Sequence, residues 1–166
     1  MTFDIWNRRY TGSKYKLSEW IVDLIHTNCS GKSFCDIFAG TAIMSKQMLN
    51  SVEEIYINDF LYSNELIYKA FFEQKGFRKN KLLKYKKIFY SLEPKDLAEN
   101  YFSINFGDKF FSKNDAILIG YIREYIQNIK DINKKEKNIR IASLLYSADK
   151  SAKTGGHYDA YSKGQK

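Results

Sequence analysis

The sequence has few of the residues that build metal centres, disulfide frameworks and membrane spans. Its two cysteines, Cys29 and Cys35, are not in Cys-x-x-Cys spacing, and its only histidines are His26 and His157. Zinc sites and disulfide scaffolds need more ligands in closer spacing, so no metal and no disulfide is expected. No apolar run is long enough to cross a bilayer, so no spanning helix is predicted, and no membrane partner is expected.

The first residues also lack a secretion signal. Residues 1–4 (Met-Thr-Phe-Asp) have neither the basic start nor the apolar core of a signal peptide. We therefore expect a cytoplasmic protein. Cys35 falls in a run typical of a buried strand, so it is expected in the core rather than as a reactive thiol.

Glycine is scarce at the turn where a nucleotide site would need it. Residues 33–44 (Ser-Phe-Cys-Asp-Ile-Phe-Ala-Gly-Thr-Ala-Ile-Met) predict a strand, a tight turn and the start of a helix. A phosphate cradle needs several glycines, but Gly40 stands alone and no Gly-Lys-Ser/Thr follows it. A nicotinamide site is therefore a distant alternative, and a phosphate-free ligand such as S-adenosylmethionine fits better.

A second strand is predicted over residues 54–60, and Asn58 and Asp59 stand at its end. Between the two strands, apolar residues recur with helical spacing, at Ala42, Ile43, Met44, Met48 and Leu49. The unit is thus β-α-β with a right-handed crossover, and both strand ends face one side. Asp59 is then placed to hold ribose hydroxyls. An ordinary βα turn followed by an acid explains these residues equally well.

Three motifs, taken in order, carry a resemblance to a known family. They are Arg9-Tyr10-x-Gly12-Ser13-Lys14, Asp36-x-Phe38-Ala39-Gly40-Thr41-Ala42 and Asn58-Asp59. Together with residues 147–161 near the end, they resemble the adenine-specific DNA methyltransferases of restriction-modification systems. The resemblance is to the alpha group, which includes the adenine methylases acting on GATC, and it covers nearly the whole chain.

The resemblance implies a site for S-adenosylmethionine. Its residues are Tyr10, Gly12, Ser13, Lys14, Asp36, Phe38, Ala39, Gly40 and Asp59. Tyr10 and Lys14 flank the methionine end of the cofactor in such a site, and Asp59 binds the ribose. Ala42 stands where the family has a second glycine, which adds a methyl group close to the ligand.

Proline occurs once, at Pro94. Family members transfer the methyl group with an Asp/Asn/Ser-Pro-Pro-aromatic loop that holds the flipped base. Because this chain has no Pro-Pro pair, the catalytic residues are unknown. We expect the N-terminal portion of a methyltransferase whose loop lies in the same or in a second polypeptide. A noncatalytic nucleic-acid-binding protein on a degenerate methyltransferase scaffold stays an alternative.

The expected fold class is α/β. An incomplete Rossmann-like methyltransferase fold that binds S-adenosylmethionine is predicted over residues 1–75. A mainly helical, truncated target-recognition region follows over residues 76–166. Beyond Asp59 the sequence predicts helices, over residues 62–72, 80–90, 114–129 and 136–153, with Ser112 or Asn114 as the cap of the third. Two strands alone do not make a stable sheet.

The net charge of +8 and a pI near 9.3 favour a polyanionic partner. The resemblance makes that partner double-stranded DNA, with Arg8, Arg9, Lys153 and His157 as candidate contacts. A solvated, lysine-rich surface explains the lysines of residues 79–87 equally well. Residues 153–158, which are glycine-containing, basic and aromatic, predict either a DNA-contacting loop or a frayed tail.

Overall fold

Two short parallel strands form the sheet of the structure, a computed structural model that describes residues 4–154. Strand β1 (Ser33–Asp36) pairs with β2 (Glu54–Ile57) along its whole length. Helix α2 (Ile43–Met48) connects them, because parallel neighbours cannot be joined by a tight turn. The predicted β-α-β order is confirmed, and Asp59 lies just beyond the end of β2.

The chain divides into two compact units, Met1–Tyr68 and Lys69–Lys166. The first contains the β-α-β element and helix α1 (Ser18–Asn28), and α3 (Tyr62–Phe71) begins in it. The second contains the helices α4 (Lys79–Tyr90), α5 (Tyr101–Phe106), α6 (Lys113–Asn128) and α7 (Lys134–Ser151). None of the helices within residues 4–154 combines the length and apolar character needed to cross a membrane.

Most helices lie where the apolar spacing predicts them, and the exceptions are explained by capping residues. Ser112 is the N-cap of α6, as expected. Helix α5 is not predicted from the sequence, because six residues are too few to show a helical repeat of apolar side chains. Its start is fixed by the side chain of Asn100, which caps it. Helix α7 begins ahead of the predicted position because Asn133 and Glu136 form a capping box.

Burial in unit 1 differs from the sequence prediction. Cys35 is exposed, and β1 alternates between exposed and half-buried residues. The prediction of a core cysteine is wrong. The alternation of side chains along a strand shows which residues share a face, but it does not show whether other elements pack on both faces. On α1, Trp20 and Leu24 are 61% and 43% exposed. The small sheet and α1 therefore leave apolar side chains uncovered among the described residues.

Unit 2 has an aromatic and aliphatic core shared by α5, α6 and α7. Its buried members are Phe111, Ala116, Ile119, Ala148 and Ala152. The rings of Phe102 and Phe106 on α5 pack against this cluster, with their centroids 4.8 Å apart. Burial of these side chains supplies the main stabilisation of the unit.

A buried carboxylate joins the start of α4 to the start of α7. Glu136 is completely buried, and its Oε2 accepts a 2.7 Å hydrogen bond from the Arg78 guanidinium. The backbone N–H groups of Arg78 and Asn133 also donate to it, at 2.8 and 2.9 Å. The Arg78 hydrogen bond lowers the pKa of Glu136 to about 2, well below its usual value. Nearby, hydrogen bonds from Lys81 and Tyr85 lower the pKa of Asp131 to about 2.

Acid should therefore weaken unit 2. Between pH 4.5 and about 2, Glu136 is ionised in the folded chain, whereas the unfolded chain binds a proton there. Stability is thus fully present above the usual pKa of 4.5 and is lost as the pH falls toward 2. We expect the exchange protection of the α7 amides to be lower at about pH 3 than at about pH 6.

Glu136→Gln is the matched variant, because it keeps the size of the side chain and removes the titration. Its α7 protection should be lower at neutral pH and should depend less on pH, with Asp131 responsible for the rest. Equal protection of the wild-type helix at both pH values would contradict the role of Glu136.

Candidate cofactor site

The turn between β1 and α2 is closed by backbone hydrogen bonds. The N–H of Ala42 donates to the C=O of Ala39 at 2.7 Å, and the N–H of Ala39 donates to the C=O of Asn58 at 3.0 Å. Gly40 has a φ of +54°, in the left-handed region that glycine adopts without strain. A Cβ at Gly40 would lie 2.8 Å from Cε1 of Tyr10. Both the backbone conformation and the Tyr10 ring therefore favour glycine here.

Side chains from three other segments bind the backbone of Gly40. Its N–H donates to Oδ2 of Asp59 at 2.8 Å. Its C=O accepts hydrogen bonds from the Tyr68 hydroxyl at 2.8 Å and from Nη2 of Arg8 at 3.2 Å. The end of β2, helix α3 and the N-terminal segment thus meet at this one residue.

Asn64 closes a ring of hydrogen bonds around the turn. Its side chain is completely buried, and its Nδ2 donates to Oδ1 of Asp59 at 2.7 Å. Its Oδ1 accepts a hydrogen bond from Nη2 of Arg8, the same atom that donates to Gly40. We call these four residues, Arg8, Gly40, Asp59 and Asn64, the Gly40 ring. Each member is tied to two others without any ligand.

The Gly40 ring keeps Asp59 ionised. Partial burial raises the pKa of Asp59, but hydrogen bonds from the N–H groups of Leu61 and Gly40 and from Asn64, with the Arg8 charge, lower it to a net value below the usual one. Three donors occupy the carboxylate, which has about four lone-pair positions. One acceptor position therefore remains for a hydroxyl of a bound ligand.

Tyr68 stays a hydrogen-bond donor. Burial raises the pKa of its phenol, and the charge of Asp59 raises it further. The hydroxyl is therefore protonated at neutral pH and donates to the C=O of Gly40.

The structure gives Arg8 a different position from the one expected of a DNA contact. Arg8 is 8% exposed, and its guanidinium lies over the Tyr10 ring, 5.1 Å from the centroid, and donates into the turn. A phosphate cannot reach a cation that is buried against Gly40 and Asn64. This corrects its assignment, and we place Arg8 in the site as a support of the turn.

The N-terminal motif folds into a turn beside Tyr10. The N–H of Ser13 donates to the C=O of Tyr10 at 3.1 Å, and Gly12 between them has a φ of +80°. The Tyr10 hydroxyl accepts from Nδ2 of Asn64 at 3.5 Å. The exposed Lys14 donates from Nζ to the C=O of Gly12 at 2.9 Å. The structure therefore brings Tyr10 to the Gly40 ring, while the described hydrogen bond of the Lys14 ammonium stays within its own turn.

The other expected residues lie along the strand and the turn. Asp36, at the end of β1, accepts a 2.7 Å hydrogen bond from the Ser45 hydroxyl of α2. Ala39 is buried, whereas Phe38 is 87% exposed. Ala42 is completely buried with a φ of +59°. A left-handed alanine is disfavoured by about 1–2 kcal/mol, which explains why glycine suits this position better.

Of the remaining DNA candidates, two lie among the described residues. Arg9 is exposed in unit 1, and Lys153 is exposed in unit 2, where its N–H donates to the C=O of Phe110 at 2.7 Å. His157 lies outside the described residues. Within residues 4–154, no group of three or more His, Cys, Asp or Glu side chains is arranged to hold a metal ion.

Asn64 and Tyr68 are members of the site that the sequence analysis missed. They are four residues apart on α3, so both lie on the face that buries Ile67 and Ala70. In the sequence, the only indication of their role is that two polar residues four positions apart lie beside apolar residues of the same helix. That signal does not name their partner, because Gly40 is 28 residues from Tyr68.

Comparison with known proteins gives a family and two relatives. Residues 10–166 match the family described as D12 class N6 adenine-specific DNA methyltransferase. The chain is similar to the type II methyltransferase M.CviAII of Paramecium bursaria Chlorella virus 1, with 31% identity over 162 residues, 93% of this chain and 49% of the relative. It is also similar to the type II methyltransferase M.NlaIII of Neisseria lactamica, with 29% identity over 170 residues, 95% of this chain and 50% of the relative.

These matches confirm the resemblance that the sequence motifs carry. The chain spans about half the length of the curated relatives it matches. No solved structure matches the chain.

Substitutions at the two glycines with positive φ, Gly12 and Gly40, test whether the Tyr10 ring restricts the turn. Gly12 has no atom within 4 Å of a would-be Cβ, whereas Gly40 meets Tyr10. We expect Gly12→Ala to lose about 1–2 kcal/mol from its backbone conformation alone, and Gly40→Ala to lose clearly more. Urea unfolding followed by tryptophan fluorescence measures this in unit 1, which contains both tryptophans, Trp6 and Trp20.

Tyr10→Ala in the Gly40→Ala background provides the matched control. It should recover the excess loss if the Tyr10 ring causes it. Equal losses at the two glycines would show that the contact with Tyr10 does not restrict the turn.

Proposed function

This chain belongs to the D12 class N6 adenine-specific DNA methyltransferase family, and we propose that it supplies the cofactor-binding and DNA-recognition parts of an enzyme that methylates the exocyclic amino group of adenine in DNA. The observation that carries the proposal is the Gly40 ring, located at the carboxyl ends of two parallel strands. Crevices at such strand ends bind ligands in open α/β sheets.

The residues around Gly40 fit S-adenosylmethionine in three respects. Asp59 is ionised and keeps an acceptor position for a ribose hydroxyl. The Thr41 hydroxyl beside Gly40 is buried without a hydrogen-bond partner among the described residues. Phe38 and Phe60, which follow β1 and Asp59, are 87% and 95% exposed and offer apolar surface to a base.

The proposed site combines the Gly40 ring with the N-terminal motif. Tyr10 and the turn of Gly12, Ser13 and Lys14 flank the methionine end, and Asp59 takes the ribose. Asp36, Phe38 and Ala39 line the approach to Gly40. When bound, the cofactor supplies an activated methyl group, while the residues of this chain bind and orient it.

We further propose an incomplete Rossmann-like fold over residues 1–75 and a mainly helical recognition region over 76–166. The parallel strands with their helical crossover support the first part. Four helices, of which α4 and α7 carry net positive charge, support the second. Double-stranded DNA is the proposed substrate, with Arg9, Lys153 and His157 among its contacts.

Methyl transfer needs a catalytic loop that this sequence does not contain. Its single proline, Pro94, stands in a short 3-10 helix between Glu93 and Leu97 rather than in a Pro-Pro-aromatic motif. We propose that the loop is supplied from elsewhere in the enzyme, in the same or in a second polypeptide. A noncatalytic nucleic-acid-binding role is the second candidate, which the absent motif favours.

Asp59→Ala should abolish binding of S-adenosylmethionine. The variant loses the acceptor for the ribose and leaves the Gly40 N–H without its partner, a cost of about 1–3 kcal/mol for a buried group. Calorimetric titration of the purified chain measures the affinity.

Asp23→Ala is the control for this titration, because it removes an exposed carboxylate of the same unit. It should bind like the wild type. Unchanged affinity in Asp59→Ala would contradict the site. No binding by a folded wild-type chain would favour the noncatalytic candidate.

The chain alone should not methylate DNA. Without the Pro-Pro-aromatic loop no group holds the flipped adenine for transfer. Incubation with labelled S-adenosylmethionine and duplex DNA should leave the DNA unlabelled, and adding a polypeptide that carries the loop should restore labelling. Incorporation of label by the chain alone would refute the argument from the missing motif.

A further inference from the structure

Helix α4 carries positive charge and no negative charge. Its twelve residues include five lysines, and neither aspartate nor glutamate. The buried face centres on Tyr85, whose ring lies 6.2 Å from the ring of Tyr125 and 4.8 Å from the Arg140 guanidinium. The helix is thus anchored on one side, and most of its lysines point away from that anchor.

Ion pairing on α4 is confined to the edge near Asp131. Lys81 binds Asp131, and Nζ of Lys84 lies 3.9 Å from the same carboxylate. Lys79, Lys86 and Lys87 are exposed, and no carboxylate within residues 4–154 lies in salt-bridge range of them. We call these three residues the lysine face.

The spacing of the lysine face suits a polyanion. Lys79 and Lys86 are seven residues apart, which places them on one side of the helix about 10 Å apart along its axis. Leu83 and Tyr90 lie on the same side and are 47% and 81% exposed. Nζ of Lys86 lies 5.3 Å from the centroid of the Tyr90 ring. Cations and apolar surface are therefore interleaved along about three helical turns.

The lysine face lacks the acids that usually accompany lysines on a solvated helix. Lys81 and Lys84 share the carboxylate of Asp131, whereas Lys87, three residues beyond Lys84, has no carboxylate in salt-bridge range among residues 4–154. Solvated surface helices usually offset the repulsion between like charges with acids at the same spacing. On the lysine face no such acid is found among residues 4–154, so its charges remain available to a polyanion.

We propose that the lysine face binds the phosphate backbone of duplex DNA. The proposal rests on the proposed function, and it locates part of the DNA contact on α4 of unit 2. Such contacts fix the position of the protein on the duplex and carry no sequence information. An anionic membrane is disfavoured, because only Leu83 and Tyr90 provide apolar surface among the lysines.

The salt dependence of DNA binding tests the proposal. Each phosphate contact contributes about 0.9 to the slope of log affinity against log salt, so three lysines contribute about 2.7. The triple variant Lys79→Gln/Lys86→Gln/Lys87→Gln should lose a slope of this size, and with it most of the affinity at about 50 mM salt. Anisotropy of a labelled short duplex over about 50–200 mM salt, using the full chain, measures both.

The matched control removes the same charge from the same unit. Lys95, Lys109 and Lys130 are exposed and lie outside α4. Lys95→Gln/Lys109→Gln/Lys130→Gln should change the slope by less than about 1. Equal losses in the two triple variants would overturn the proposal, because net charge alone would then explain them. Circular dichroism checks that both variants keep their helices.

Three further outcomes separate this proposal from the proposed function and from a membrane partner. If the wild-type chain binds S-adenosylmethionine but no duplex at low salt, the lysine face is overturned and the cofactor site stands. If the chain instead sediments with vesicles of anionic phospholipid, and the lysine-face variant does not, a membrane is the partner and the proposal fails. Lysine-dependent DNA binding without cofactor binding supports the lysine face and contradicts the cofactor site.

Discussion

Satisfying the backbone of Gly40 is the constraint on which unit 1 depends. The turn at the end of β1 buries an N–H and a C=O that neither strand nor helix can pair. A buried polar group without a partner costs about 1–3 kcal/mol, so side chains must pair it. Asp59 takes the N–H, and Arg8 and Tyr68 donate to the C=O. Asn64 joins Arg8 to Asp59, and thereby fixes both relative to the turn.

This arrangement shapes the site before any ligand arrives. Three donors hold the Asp59 carboxylate, so the ribose of the proposed ligand would not have to order it. Preorganisation of this kind lowers the entropic cost of binding. The same contacts explain why Arg8 belongs to the interior. Its charge stabilises the ionised Asp59, and a phosphate partner would have to replace several hydrogen bonds at once.

The sequence predicts the local parts of this structure and misses the non-local ones. Strand, turn and acid follow from residues 33–60, because their apolar spacing and the lone Gly40 are local features. Arg8 bonds to Asn64, 56 residues away, and no periodicity links them. The exposure of Cys35 depends on whether another layer covers β1, which the alternation of its own strand does not determine. The start of α7 at Lys134 could be predicted from the sequence, because Asn133 and Glu136 have the spacing of a capping box.

The net charge indicates a class of partner. Only the structure distinguishes the cationic side chains that form ion pairs within the fold from those that are exposed without one. Arg78 and Lys81 are bound to Glu136 and Asp131, so their charges hold α4 in place rather than attract DNA. Arg140 is buried beneath Tyr85. Lys79, Lys86 and Lys87 have no such partners among residues 4–154, and salt would screen their interaction with a polyanion far more than it screens a buried pair. For the proposed DNA contact, the available cations are therefore those without an acid partner in the part of the chain that the structure describes.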